Sequence, residues 1–253
     1  MSSASPPPAV PRPSPRRGER TRTIPEQIAD HLGVAILNGD YRGGEHVAEQ
    51  ELAALYRVSR GPVREAIRAL EKRGLIEVLP RRGAFVMDIT LEAIADIFNI
   101  RAVLLGLAAR TLALRRDTAE AIAEFTARTD ELGVLAARDD TDPVAFALAT
   151  GRAGGVMYRN CGNVRLIRML REQNQGSLWG LIWRERAIDF HTVERRREAA
   201  GEWMAIAAAV RAGDGVLAES LVRNALFHSR DGAISTLQRL RGEDVDCSKF
   251  IHD

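Results

Sequence analysis

Apolar residues recur at every third or fourth position between Ile24 and Gly74, in three segments separated by polar residues. This spacing places apolar side chains on one face of an α-helix. Pro25 favours the first turn of the first segment, which ends at "NGD", and the second segment is "AEQELAALY". Ser59 is a suitable N-cap for the third. We predict three helices, and the inner face of the third consists of Val63, Ala66, Ile67 and Leu70.

The pattern changes after Gly74. Two short β-prone runs within "LIEVLPRRGAFVMDI" flank a Pro-Arg-Arg-Gly turn, which predicts a β-hairpin with a basic tip. The stretch "YRGGEHV", between the first two helices, is predicted to be a turn. Short helices followed by a basic hairpin are typical of a winged helix-turn-helix, which we place at residues 23–88.

From Thr90 onward the helical spacing is almost uninterrupted, with no strand pattern and no Gly-rich phosphate loop. We predict helices near 90–115, 118–138, 142–160, 163–188, 194–212 and 214–240. The apolar stripe of the first includes Ile94, Ile97, Leu104, Leu107 and Leu112, with Arg101 within it and Ile100 beside it. The predicted fold is therefore mostly α: an N-terminal winged helix-turn-helix, and a C-terminal all-α bundle over residues 90–242.

Charge and composition indicate a polyanionic partner for the winged unit. Residues 57–82 carry eight cations against three acids, although the whole chain has a formal net charge of only +2. A positive field confined to the winged unit suits a polyanion. Residues 1–22 hold six prolines and five arginines, which predicts a disordered basic leader, and residues 243–253 are predicted to be a tail.

The sequence offers no sign of export or of a membrane. Cys161 and Cys247 fit no metal or redox spacing, and the uninterrupted apolar runs are shorter than the ~18 residues of a membrane span. No signal peptide is visible at the N-terminus. We expect a cytoplasmic protein with no membrane partner.

The segment "VSRGPVREAIRAL", within about 60 residues of matching spacing, resembles the DNA-binding domain of GntR-type bacterial transcription factors. One departure is Gly43, where the family usually has Pro. The resemblance implies that Arg60 and Arg64 read base edges, and that Arg68, Arg81 and Arg82 contact phosphate. For Arg68 a solvated helix end is the alternative. The full implied set of DNA contacts is Gln50, Ser59, Arg60, Gly61, Arg64, Arg68, Arg81, Arg82 and Gly83.

The helical half resembles the effector-binding domain of the FadR-type branch of this family, in "IRAVLLGLAARTLA", "CGNVRLIRML" and "AIAAAVRAGDGVLAESLV". Most members of that branch bind a divalent metal through one Asp and three His. The corresponding positions here are Thr150, Gly154, Trp203 and Ala225. None of these offers the carboxylate or imidazole that such an ion needs. We therefore predict that the metal site is lost and that there is no cofactor.

The same resemblance implies a small-molecule pocket, whose predicted lining residues are Arg101, Thr150, Met157 and Trp203, with Trp179 and Trp183 as further candidates. A buried arginine needs an anionic partner, and family members carry one near the ligand carboxylate. An organic acid or an acyl-CoA are the candidate effectors. An internal salt bridge or an exposed guanidinium on a buried stem is the alternative for Arg101, and tryptophans that simply fill the pocket are the alternative for the cavity.

These features predict a sequence-specific DNA-binding transcription regulator, a repressor rather than an activator, associated with the nucleoid. A homodimer would bind a near-palindromic operator and respond to a small molecule in the bundle. In an alternative, the bundle is only a dimerisation scaffold without a ligand. An enzyme has little support, because the chain contains no recognisable catalytic motif.

Overall fold

The computed structural model describes residues 22–174, 179 and 189–242. Within these ranges lie nine helices and three strands, which confirms the predicted fold class. The helices are α1 Ile24–Asn38, α2 Glu49–Tyr56, α3 Arg60–Lys72, α4 Leu91–Leu114, α5 Ala119–Ala136, α6 Pro143–Arg159, α7 Val164–Asn174, α8 Val193–Arg211 and α9 Gly215–Arg241. The strands are β1 His46–Val47, β2 Ile76–Leu79 and β3 Gly83–Val86.

Several sequence-based predictions lie outside the described residues. They are the tail, all of the leader except Arg22, the side chain of Trp183, and most of the second half of the helix expected at 163–188.

Local signals fix the ends of α1, the first helix of the winged unit (α1–α3 and β1–β3). Thr23 and Glu26 form a capping box, in which the Thr23 backbone N–H donates to the Glu26 carboxylate at 2.7 Å. Pro25 lies in the first turn, where its missing N–H leaves no hydrogen bond unmade. Gly39 ends the helix at φ +84°, a conformation that glycine adopts without strain.

The small sheet contains one strand that the sequence pattern did not predict. Strand β3 pairs with β2 in the expected hairpin and with β1 on its other edge, where His46 faces Phe85 and Val47 faces Ala84. The prediction of a turn throughout "YRGGEHV" is therefore wrong at its last two residues. A two-residue strand is too short to show an alternating pattern, and its partner lies almost forty positions further along the chain.

Helix α3 is held by its inner face, as predicted. The side chains of Val63, Ala66, Ile67 and Leu70 are all buried. Ser59 occupies the N-cap position with an extended backbone, but its side chain makes no capping hydrogen bond. The capping role predicted for the Ser59 hydroxyl is thus absent, while the position of the helix start is right.

In the helical domain (α4–α9), α4 packs along α9, and α5 lies against α6 and α8. The buried positions of α4 include Ile94, Phe98, Arg101 and Leu105. Ile100, expected beside Arg101, and Leu107, expected in the stripe, are instead exposed, at 55% and 41%. The rest of the predicted stripe is right: Ile94, Arg101 and Leu112 are buried, and Ile97 and Leu104 are partly buried. The sequence missed further buried positions because α4 is covered on more than one side, so its buried surface is not a single row at helical spacing.

Helix α4 is long and apolar enough to cross a membrane, by length and composition alone. Half of its most apolar 18-residue window is nevertheless buried inside the protein, as in the central helix of a packed domain. The apolar character of α4 is accounted for by its packing against α9.

Arg241, the last residue of α9, connects the two halves of the chain. Its Nε donates to the backbone carbonyl of Leu37 at 3.0 Å, and its Nη1 donates to that of Ile89 at 2.8 Å. The first carbonyl lies near the end of α1 and the second in the linker before α4. The helical domain therefore holds the winged unit through its longest helix.

Candidate nucleic-acid interface and bundle cavity

The outer face of α3 presents the arginines that the sequence singled out. Because α3 is anchored by four buried side chains, its opposite face projects from the unit as a rigid surface. Arg60, Arg64 and Arg68 lie four residues apart on that face, and all three are exposed. All nine predicted DNA-contact residues are in fact exposed, on α2, α3 and the hairpin. Their contacts with DNA stay predictions.

Two of these arginines are ion-paired with a residue that the sequence analysis did not select. Glu49, at the start of α2, accepts hydrogen bonds from Arg64 Nε at 3.1 Å and Arg64 Nη2 at 2.9 Å. Its Oε2 also accepts from Arg60 Nη2 at 3.1 Å. We call this arrangement of Glu49, Arg60 and Arg64 the Glu49 clasp. No local sequence pattern signals it, because the partners belong to different helices.

The clasp joins a carboxylate to guanidinium groups, and its contacts are ionic rather than neutral. The hydrogen bonds from Arg64 and Arg60 lower the pKa of Glu49, which its slight burial opposes. The hydrogen bond and charge of Glu49 raise the pKa of Arg64. Glu49 is therefore ionised, and the Arg64 guanidinium charged, throughout the neutral pH range. The arginines remain more than half exposed and so remain available to a ligand.

The tip of the wing has a backbone that few residue types adopt. Gly83 has φ +96°, and Arg81, before it, has φ +61°. The Arg82 guanidinium lies 5.7 Å from the ring centre of Phe85, which also packs edge-on against His46. His46, on strand β1, therefore contacts the wing through the Phe85 ring.

We expect Gly83→Ala to lower the free energy of unfolding by about 2–3 kcal/mol. A Cβ at this position would lie 2.6 Å from His46 Nε2, in addition to the strained φ. Gly44→Ala is the matched control: its φ is +79°, but a Cβ there meets nothing within 4 Å, so only the backbone penalty of about 1–2 kcal/mol applies. Chemical denaturation measures both. Equal losses in the two variants would contradict the His46 contact.

A cavity of about 310 Å³ opens in the helical domain. It is lined by residues of α4, α6, α7, α8 and α9 together with Trp179. Three of the predicted lining residues, Arg101, Thr150 and Trp203, meet there. Met157 does not: it is fully buried in the core and is not one of the residues that line the cavity. The sequence also missed Arg152 and Arg159 in the lining.

Arg101 is buried in the wall of this cavity, with 6% of its surface exposed. Its Nη1 donates to Gln173 Oε1 at 3.3 Å and its Nη2 to Asn174 Oδ1 at 2.9 Å, while the guanidinium lies 4.3 Å from the Trp179 ring centre. Burial lowers the pKa of Arg101 to about 10, so the group stays charged at neutral pH. Its Nε is buried without a hydrogen-bond acceptor among the described residues.

This environment fits neither of the two alternatives for Arg101, an internal salt bridge or an exposed guanidinium on a buried stem. The guanidinium is not exposed, and none of its partners in the described ranges is an acid. Neutral amide oxygens and an aromatic face stabilise the cation only in part, because a buried charge needs an opposite charge to offset its desolvation. An anion in the cavity would supply it.

The four positions that the sequence resemblance aligns with metal ligands lie at or next to this cavity. Thr150, Gly154 and Trp203 line it, and Ala225 precedes the lining residue Leu226 on α9. A Cβ on Gly154 would lie 3.3 Å from the Trp203 ring, so the indole occupies the space beside that position. These four residues supply no carboxylate or imidazole, and they do not fit a divalent ion.

Comparison with known proteins places the two halves of the chain in known families. Residues 24–86 match "Bacterial regulatory proteins, gntR family", and residues 96–228, just over half of the chain, match the "FCD domain". The chain is 33% identical over 117 residues to YdhC of Bacillus subtilis, named as an uncharacterized HTH-type transcriptional regulator. That alignment covers 46% of this chain and 52% of YdhC, so the chain spans about half the length of this relative.

A longer match is to GlaR of Escherichia coli, named as an HTH-type transcriptional repressor, with 26% identity over 196 residues. It covers 76% of this chain and 87% of GlaR. Among solved structures, Lar of Listeria monocytogenes, described as controlling expression of the agr system, has a similar fold. The TM-score is 0.63, with 20% identity, over 85% of this chain and 98% of Lar.

These relatives are named for transcription regulation and not for catalysis, as the sequence predicts. The GntR and FCD matches fall on the winged unit and on the helical domain respectively. The chain belongs to the GntR family of bacterial regulatory proteins, and its helical half is an FCD domain.

Proposed function

We propose that this protein is a sequence-specific DNA-binding transcription regulator, acting as a dimeric repressor whose operator binding responds to an organic anion in the bundle cavity. The DNA-binding part of this proposal rests on helix α3, which is buried along one face and carries exposed arginines along the other. Such a helix fits the major groove, where a guanidinium can donate two hydrogen bonds to O6 and N7 of guanine.

In vitro selection from a pool of random duplexes tests this proposal. We expect enrichment of a short, near-palindromic motif, because two copies of the winged unit would read two half-sites. A pool that stays random after repeated rounds would contradict sequence-specific binding. A motif without internal symmetry would contradict the dimer.

The dimer has support in the surface of α4. Ile100, Val103 and Leu107 are exposed at 55%, 54% and 41%, and their spacing places them on one face of that helix. An exposed apolar face of this kind is typical of a protein interface, and a second copy of the chain would cover it with the same surface. A repressor needs only to occupy its operator, and the name of GlaR agrees with that mode.

The cavity supports an anionic effector rather than a filled, ligand-free scaffold. Trp203 lines the cavity but leaves about 310 Å³ of it open, and Arg101 faces it without an acidic partner among the described residues. This volume, near the lower end of the usual range for ligand pockets, suits a small organic acid better than a whole acyl-CoA. The anion would bind Arg101 directly, without a metal between them.

Arg101→Met should abolish the response to organic acids without lowering the stability of the protein. We expect the ligand-free variant to be as stable as the wild type or more stable, by up to about 1–3 kcal/mol, because a buried charge has been removed. Stabilisation by organic acids in a thermal-shift screen should disappear. The exposed Arg168, paired with Glu172 on α7, provides the control variant Arg168→Met, which should keep the response. A strongly destabilised Arg101→Met that still responds to the same acids would contradict the proposal.

A regulator of bacterial transcription works in the cytoplasm, where we place this chain at the nucleoid. It needs no membrane partner for this role.

A further inference from the structure

We propose that Glu49 is a positioning residue, which sets the conformations of Arg60 and Arg64 before DNA arrives and thereby increases the preference for the operator over other DNA. This inference rests on the DNA-binding function proposed above. It assigns a role in sequence discrimination to an acidic side chain, which would otherwise be expected only to weaken binding to a polyanion.

The geometry of the clasp is specific to two arginines of the reading face. One carboxylate oxygen of Glu49, Oε2, accepts from both Arg60 and Arg64, at 3.1 and 2.9 Å. The other oxygen accepts from Arg64 Nε, so this pair is joined side by side in the planar arrangement that guanidinium and carboxylate favour. Glu49 is the only acid ion-paired with either arginine within the described ranges.

Arg68, the third residue of the same row, lies outside the clasp. It is exposed and makes no ion pair with a described residue. Glu49 therefore separates Arg60 and Arg64 from Arg68, as did the sequence-based assignment of base contacts to the first two and a phosphate contact to the third. The two residues expected to read bases are ion-paired with Glu49, and the residue expected to touch phosphate is not.

The clasp leaves both arginines able to read a base. A guanidinium has five N–H donors. Arg64 uses its Nε–H and one Nη2–H, which leaves three of the five, and Arg60 uses one, which leaves four. A bidentate contact with guanine requires only two. Glu49 can thus keep its hydrogen bonds while DNA is bound, so that the clasp orients the arginines rather than competing for them.

Glu49 has two physical effects on DNA binding, and the first of them favours the correct sequence. Exposed arginines sample many rotamers, and a side chain that is already fixed loses less entropy on binding a matching base. The carboxylate also places a negative charge next to the phosphate backbone, which weakens binding to every sequence alike. Only the correct operator offsets that repulsion with base contacts. The entropy effect therefore raises the preference for the operator, while the repulsion lowers the affinity for all DNA and leaves the ratio unchanged.

The test measures dissociation constants of Glu49→Gln for two duplexes, the operator selected by the wild type and a scrambled duplex of the same composition. The control is Glu51→Gln, the same change on the same helix, at an exposed glutamate with no ion pair in the described part of the chain. We expect Glu49→Gln to bind the scrambled duplex more tightly and the operator less tightly, so that their ratio falls about tenfold. Glu51→Gln should keep the wild-type ratio within about twofold.

Glu49→Asp separates charge from position. It keeps the negative charge but is one methylene shorter, so it cannot reach both arginines at once. We expect it to retain weak binding to scrambled DNA and still to lose operator affinity. A wild-type ratio in both Glu49 variants would overturn the role of Glu49 alone. A wild-type protein that shows no preference between the duplexes would overturn the proposed function, and this inference with it.

Discussion

Arg64→Ala should weaken binding to the selected operator by about ten- to a hundredfold, equivalent to about 1–3 kcal/mol, and Arg60→Ala should have an effect of the same order. Both side chains lie near the start of α3, on the face opposite its buried residues, and both keep free donors despite the Glu49 clasp. Under the proposed function, losing either one would remove a bidentate contact with a base. A fluorescence anisotropy titration at fixed salt measures the change.

Arg68→Ala is the matched control, because it removes the same charge from the same face of the same helix. We expect it to weaken binding to operator and scrambled duplexes by the same factor and to reduce the salt dependence by about one counterion, as a phosphate contact would. Arg64→Ala should instead lower the affinity for the operator much more than for scrambled DNA. The same uniform loss in all three variants would show that α3 binds phosphate without reading bases.

Trp203→Ala should lower the free energy of unfolding by about 3–5 kcal/mol, the usual range for removing a buried aromatic side chain. The indole is 7% exposed, meets Phe125 edge-on at 6.2 Å between ring centres, and fills the space beside Gly154. A glycine neighbour cannot extend into the vacated volume, so the cavity would grow rather than collapse. The loss should therefore lie toward the upper end of that range.

Met204→Ala is the control for this prediction, since it truncates the adjacent residue of α8, which is 41% exposed. It should cost less than about 1 kcal/mol. Urea denaturation of both variants gives the comparison. A loss below about 1 kcal/mol for Trp203→Ala would mean that the indole is not part of the packed wall, and that the cavity is bounded differently in solution.

Short-range patterns were sufficient for much of this fold. The four apolar residues of α3 follow a strict helical spacing, and all four are buried as expected. The Pro-Arg-Arg-Gly sequence predicted the hairpin correctly, because its residues strongly favour a reversal of the chain. The described helices of the FCD domain begin and end within a few residues of the predicted positions, since each is long and periodic. The end of the helix expected at 163–188 lies outside the described residues.

Features that depend on distant partners were not predictable in the same way. Strand β1 exists because β3 pairs with it, and the Glu49 clasp exists because α2 and α3 pack together. The environment of Arg101 is another example. Its sequence neighbours indicated burial, but its amide partners lie about seventy positions further along the chain. The exposed Ile100 and Leu107 show the same limit, because only packing decides which face of α4 is covered.

The most direct test of sequence-specific regulation is the ratio of dissociation constants for the selected operator and a scrambled duplex, measured at physiological salt. Salt must be fixed because the phosphate contribution depends strongly on it. The proposed function predicts that the operator binds at least about a thousandfold more tightly. Equal affinity for the two duplexes would contradict it.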